Sequence, residues 1–403
     1  DLRLRRAQVI AVALTVFVGV AVFVLSAGMS SNLTSSYDLT YERTAFADVW
    51  VTGGSPAMAN IVERIDAVDR VEQRTQADVG VQFSDRPIRT RIVGFDSDTT
   101  LNTLVITAGV GIDPDTRGVV LEQHTADHFD LGPGDTVSIV GVGSVPVVGV
   151  AVSPEWLWVS PSSQELIVDP DEFGVLFAPE HIAALAAPNH LQLVIAVADH
   201  NPQAVELVAT AAVGEGAGEL LTRATHPSAQ ALQADLDGFK QLSIMFPVLF
   251  LAAAGLATTV LLGRLVAQQR AEVGMLRANG YSDRVVQRHF ATYGVVVSLL
   301  GAVPAIPLGI LGGWAATTAY TGFLGVPYAS RELHPVTWTF GIAFAVVVGA
   351  LAGAVSARTA TRVDPATAMR PGVGTVSGRH SLLERMLPPR SPSWLRVAVR
   401  NPG

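Results

Sequence analysis

Four stretches of the chain are apolar for longer than a soluble core helix requires. Residues 7–29 read AQVIAVALTVFVGVAVFVLSAGM without a charge. Three more runs cover 242–266, 290–319 and 336–357. Crossing the hydrocarbon core takes about 20 mostly apolar helical residues, so each run predicts a membrane span. None carries a charge at its centre, where one would cost about 2.5–3.5 kcal/mol on insertion scales. The first run is longer than a signal-peptide core of about 7–15 residues, and no clear cleavage site follows it. Pro304 and Pro307 interrupt the third run. Each removes a helix donor and predicts a kink, static rather than a hinge. Gly309 with Gly313, and Gly349 with Gly353, have the spacing that lets helices approach closely, here within one chain.

Between the first and second runs the periodicity changes. Residues 30–47 are polar and continue as a helical stalk, after which short strands alternate with short helices. Strands are predicted at 48–52, 71–83, 88–96, 118–122, 173–178 and 191–197, with a hairpin over 136–153. Helices are predicted at 56–68, 123–130, 179–187 and 202–213, the first opened by Ser55 as N-cap and Pro56 behind it. The expected fold is membrane α-helical with four spans and an inserted extracytoplasmic α+β domain. Its parts are 1–29, a first span with a basic N-terminus; 30–238, the α+β domain; 239–372, a permease domain with three spans; and 373–403, a cytoplasmic linker.

Composition supports this. Only 15% of residues are charged, against about 25% in soluble proteins, and the mean hydropathy is +0.39. With no cysteine, disulfide frameworks and thiolate metal sites are excluded. The net charge of −8 conceals two opposed halves. Residues 30–238 hold 29 Asp/Glu and 9 Arg, while the rest hold 6 Asp/Glu and 18 Lys/Arg. Phosphates would be repelled by the acidic segment, so nucleic acid is not an expected partner. Basic residues mark the cytoplasmic side of a span. Arg3, Arg5 and Arg6, then Arg264, Arg270, Arg277, Arg284 and Arg288, then Arg358, Arg362 and Arg370 fall on one side if all four spans are real. The N-terminus is then cytoplasmic, the acidic domain outside, and the location a cell membrane crossed several times.

Catalytic chemistry is sparse. His124 and His128 would share one helix face, and Asp113 and Asp115 flank Pro114, but neither pair has an evident third ligand. No metal, catalytic group or cofactor is expected. Trp156 and Trp158 lie close together in a Pro-bounded loop. They are candidates for a contact with an extracytoplasmic partner or the membrane interface, or for core packing.

The loop after the second run carries Arg270, Glu272, Val273, Gly274, Leu276, Arg277, Ala278 and Gly280. It reads as a short amphipathic helix broken near Asn279-Gly280. It closely resembles the cytoplasmic loop of FtsX-like, MacB-type permeases of ABC transporters, whose pattern is R-x-E-[IV]-[GA]-x-L-[RK]-A-x-G. Arg362–Arg370 resembles that family's closing signature, and residues 118–151 its periplasmic core domain. The resemblance covers roughly 1–372. It implies a non-catalytic permease whose loop docks on a separate cytoplasmic ATPase dimer and passes movement to the outer domain, a mechanism called mechanotransmission. The substrate would be an amphiphile such as a lipoprotein, lipid, peptide or drug. The lipid bilayer, a second permease unit and an extracytoplasmic protein or lipoprotein are the other implied partners. The alternative is an activator subunit that regulates a cell-wall hydrolase or senses peptides. No G-x-x-x-x-G-K-[ST] occurs in the 403 residues, so ATP is expected on the partner alone. Residues 393–403 look like a basic lead-in to another span, so the chain is expected to be the first half of a ten-span permease.

Overall fold

The computed structural model describes residues 6–83, 87–113 and 115–361. Arg3, Arg5, Pro114, the closing signature Arg362–Arg370 and the 373–403 segment lie outside the described residues. Two compact units form, Asp1–Gly255 with Val296–Val348, and Leu256–Val295 with Gly349–Gly403.

In the first unit, α1 (Arg6–Arg43) runs beyond its apolar stretch. Its polar end holds together because Ser36, Thr40 and Thr44 turn their buried hydroxyls back onto carbonyls four residues earlier, at 2.6, 2.7 and 2.6 Å. Arg43 suits the negative end of the helix dipole.

The inserted domain follows. Its strands are β1 (Val49–Thr52), β2 (Val68–Gln82), β3 (Pro87–Phe95), β4 (Val105–Gly109), β5 (Val119–Glu122), β6 (Thr136–Ile139), β7 (Gly143–Val152), β8 (Phe173–Pro179), β9 (Leu191–Val197) and β10 (Leu220–Thr222). Its helices are α2 (Pro56–Val62), α3 (Gln123–Phe129), α4 (Glu180–Ala186) and α5 (Pro202–Gly214). The sheet order is β10-β1-β9-β2-β3-β8-β5-β7-β4, with β6 against β2 and β7. Pairing is antiparallel except β3 with β8 and β5 with β7. The long β2 changes partner along its length, from β9 along Val68–Thr75 to β3 along Gln76–Gln82, with β6 against Val81 and Gln82. At that change of partner Glu180 accepts from Thr75 N at 3.0 Å and Thr75 Oγ1 at 2.5 Å. Gly94 makes room for it, since a Cβ there would stand 1.9 Å from Glu180 Oε2. One core gathers Val49, Val51, Met58, Leu193, Ile195 and Val208; another gathers Val81, Ile92, Val119, Leu121, Val147 and Leu176.

Helix α2 is shorter than the 56–68 predicted. It stops at Val62, and β2 begins at Val68. Strands β4 and β10 were not anticipated, both being short and flanked by turn residues.

Four helices among the described residues are long and apolar enough to cross a membrane: Val9–Arg43, Pro227–Gln268, Asp283–Phe323 and Pro335–Arg358. They belong to α1, α6 (Pro227–Gln268), α8 (Asp283–Phe323) and α9 (Pro335–Thr361). Helix α6 starts 15 residues before the apolar run at 242. In the first unit Val16, Val20 and Val24 of α1 pack on Leu251, Ala254, Ala302, Ala305 and Ala345. Small residues let α8 come close. A Cβ on Gly301 would lie 2.3 Å from Ala13 O, and one on Gly309 2.6 Å from Val24 Cβ. Pro304 and Pro307 sit on the exposed side of α8, which continues through both. In the second unit a Cβ on Gly294 would lie 1.9 Å from Gly349 O, and one on Gly353 2.4 Å from Phe290 O. The glycine pairs therefore serve packing within the chain. The protein is membrane α-helical with an inserted α+β domain.

Candidate functional site

Helix α7 (Arg270–Ala278) joins α6 to α8 within the second unit. Its end is a Schellman motif. Gly280 N donates to Arg277 O at 3.0 Å and Tyr281 N to Leu276 O at 3.2 Å. The motif requires a left-handed residue, and Gly280 has φ +89°. Val273 is buried among Leu262, Val266, Val286, Phe290 and Ala357. Gly274 is buried beside it. Arg277 Nε reaches Asp283 Oδ1 at 2.8 Å. The predicted loop residues thus divide. Val273, Gly274, Arg277 and Gly280 hold the helix in place. Glu272, Leu276 and Ala278 are exposed, joined by Met275 and Tyr281. The side chains of Arg270 and Ala271 lie outside the described residues. Among the described residues, what the helix and its C-terminal cap offer outward includes the Glu272 carboxylate and the large side chains of Met275, Leu276 and Tyr281. That composition suits a protein surface better than water.

In the inserted domain, Trp156 is buried at 4% exposure. Of the two expectations for it, contact or core packing, the packing is what is seen: it packs with Phe173, Phe177 and Val93, and Arg91 lies 5.6 Å over its ring. Trp158 is half-buried; its Nε1 donates to Leu166 O at 2.6 Å, and its ring walls a cleft. Just before them, Glu155 is a buried charge at 1% exposure. Arg74 donates to both its oxygens, at 2.8 and 2.5 Å, and Trp50 Nε1 donates to Oε1 at 2.7 Å. Arg74 Nε also donates to Gln192 Oε1 at 2.8 Å. Burial alone would raise the Glu155 carboxyl, but the charge and hydrogen bonds of Arg74 outweigh it and hold it below the usual range. Burial pushes the nearby His226 imidazole down to about 4, with Arg74 and Arg91 adding to the effect and Glu155 opposing it. This pairing was not anticipated. Its one signal in the sequence is a carboxylate inside the apolar run Pro154–Val159.

The cleft beside Trp158 encloses about 270 Å³, between the 157–173 segment and the Phe323–Leu324 end of α8. His124 stands at its edge, its Nδ1 2.7 Å from Glu122 Oε1. His128 Nε2 instead lies 2.9 Å from Asp171 Oδ1. The two histidines take separate carboxylate partners and do not converge on one point. Asp113 Oδ1 accepts from Asp115 N and Thr116 Oγ1, as in an ordinary Asx turn.

Comparison with known proteins places these features. The description "MacB-like periplasmic core domain" matches residues 9–232, and "FtsX-like permease C-terminal" matches residues 244–365. The macrolide export ATP-binding/permease protein MacB of Wolinella succinogenes is 35% identical over 104 residues, 26% of this chain and 15% of that protein. The chain thus matches well under two thirds of that relative. Two solved structures are similar at low identity. The extracellular domain of the noncanonic ABC-type transporter YknZ from Gram-positive bacteria has 11% identity and a TM-score of 0.28, covering 44% of this chain and 98% of that one. The periplasmic region of MacB from Actinobacillus actinomycetemcomitans has 13% identity and a TM-score of 0.29, covering 48% and 94%. With a periplasmic core segment over more than half its length and a permease segment after it, the chain belongs to the MacB/FtsX-type family of ABC transporter permeases.

Proposed function

We propose that this chain is the membrane subunit through which a separate cytoplasmic ATPase dimer drives an extracytoplasmic domain. Helix α7 is the docking element. It takes up the ATPase's movement and passes it through α6 and α8, the helices it joins. The observation that carries this is the division of α7, with Val273 anchored and Glu272, Met275, Leu276 and Tyr281 left open. The basic flanks support a cytoplasmic N-terminus and α7, with the acidic inserted domain outside. A second permease unit completes the assembly. The work is export or extraction of an amphiphile at the outer leaflet. The absence of charge at the span centres supports transmission of movement over a polar path through the spans. The name of the Wolinella relative couples ATP binding to a permease; here the ATP would sit on the partner.

The test is co-purification with the ATPase encoded beside this chain, with ATP turnover measured in nanodiscs. Leu276→Asp and Glu272→Arg should each weaken association about 10- to 30-fold, as truncation of an interface anchor does. Thr292→Ala, away from α7, should leave it unchanged. Retention of the ATPase by both α7 variants, or its failure to bind the unaltered chain, would sink the reading.

A further inference from the structure

The cleft beside Trp158 leaves large apolar groups open where the inserted domain meets the end of α8. Ile167 at its mouth is 86% exposed and Phe323 in its wall 77%. Leu157, Trp158, Phe173 and Leu324 are among the apolar residues of its wall, with His124 and Thr125 the polar ones. Apolar surface concentrated in one concave place marks a binding site.

Lipid in the bilayer does not cover it. The polar boundary of the spans is marked where Asn32 Oδ1 accepts from Glu332 N and pairs with His334 Nε2, both at 2.9 Å. Trp314 of α8 stands at that level, its Nε1 3.5 Å from Glu332 O. Phe323 lies nine residues further along α8, ~13 Å at the helical rise. The cleft is therefore beyond the boundary, in water.

The segment that supplies Leu166, Ile167, Val168 and Pro170 to the cleft wall also carries Glu165, Asp169, Asp171 and Glu172, all four exposed, which makes the rim on that side acidic. Asp171 engages His128 and Glu165 lies 3.7 Å from Arg89, which leaves the rim net negative. Such a rim repels anionic lipid surfaces and fatty acids and attracts a cation.

We propose that this cleft binds a cationic amphiphile, its apolar body against Leu157, Trp158 and Phe323 and its ammonium group among Glu165, Asp169 and Glu172. This deepens the reading of the chain as a mover of amphiphiles, and rests on it for its purpose.

The test uses the full chain in phosphatidylcholine nanodiscs. Because the chain has no cysteine, Gln164→Cys gives one attachment point at the rim for an environment-sensitive fluorophore. The probes are octyltrimethylammonium, octanol and octanoate. Binding of the cation should saturate and be about threefold to tenfold tighter than octanol, with octanoate weakest. Ile167→Ser, at an exposed position that folding does not need, should weaken it about tenfold. Glu165→Gln with Glu172→Gln should erase the preference over octanol. Equal responses to the three probes, or no effect of Ile167→Ser, would overturn the proposal. ATPase co-purification on the same preparations separates the two readings: ATPase docking without cation binding defeats this proposal alone, and cation binding without docking defeats only the proposed function.

Discussion

Arg74 and Glu155 are 81 positions apart in the chain, yet they meet in the interior of the inserted domain with exposures of 6% and 1%. Removing one partner of a buried pair strands the other charge, at about 3–5 kcal/mol, while replacing both with apolar groups is often near neutral. Arg74→Met should therefore destabilise strongly, and Arg74→Met with Glu155→Leu should recover part of the loss, short of the Trp50 Nε1 bond that then lacks an acceptor. Chemical denaturation of the four-member cycle measures the coupling. His226 gives a separate acid dependence. Its folded pKa, about 4, lies below the ordinary 6.5, so the unfolded chain takes up the proton first. Stability is full above about pH 6.5 and falls as pH drops toward 4, by up to roughly 3 kcal/mol. His226→Phe, which keeps the ring among Phe46 and Trp50, should flatten thermal unfolding between pH 6.5 and 4. An unchanged slope in the variant would remove His226 as the cause. Glu155 works in the lower window, where its depressed carboxyl finally protonates. Beyond the carboxylate inside the apolar run Pro154–Val159 none of this was legible in the sequence, because a buried ion pair depends on partners that only the sheet brings together.

At the scale of elements, periodicity foretold most of the structure. The apolar runs became α1, α6, α8 and α9, and the alternating segments 71–83 and 88–96 became the paired β2 and β3. What escaped has physical reasons. The start of α6 is amphipathic, packing Leu232 and Leu236 against Leu33 and Tyr37 of α1, so it has no long apolar run to announce it. Strand β4 is exposed along most of its length, which erases the contrast between its two faces. Two matched substitutions test the close approach of α8 to α1. Gly309→Ala would press its methyl on Val24 and should destabilise the helix bundle by about 1–3 kcal/mol, as overpacking does. Gly322→Ala meets nothing within 4 Å and should gain about 0.5–1 kcal/mol from helix propensity. Thermal melting in detergent compares them, and equal melting points would contradict the packing described. In α7, Gly280→Ala forces a side chain into left-handed backbone at about 1–2 kcal/mol. It should loosen the helix end and raise amide exchange at Tyr281, whose N–H closes the motif.

For the whole molecule, the charge split makes a prediction about sidedness. A membrane-impermeant thiol reagent should label Ser97→Cys in intact cells, and Asn279→Cys only after permeabilisation; the opposite pattern would invert the orientation proposed here. Both positions are exposed, and the chain has no cysteine of its own to interfere. The motif residues of α7 were legible as a set. Which of them anchor and which face outward was not, because that depends on α8 and α9 supplying Val286, Phe290 and Ala357 around Val273. The sheet order was equally hidden. Strand β1 is flanked by β9 and β10, although β2 follows it in sequence. That arrangement has a consequence for biosynthesis. Val49 reaches its partner Ile195 only after about 150 further residues are made and Thr222 only after about 170, on the order of 10–30 s at translation rates of about 5–20 residues per second. Until β9 is made, β1 has two open edges just beyond a helix already entering the membrane. Premature pairing with a neighbouring nascent chain is the hazard, and slowed elongation between residues 52 and 191 should raise the yield of aggregated or proteolysed protein.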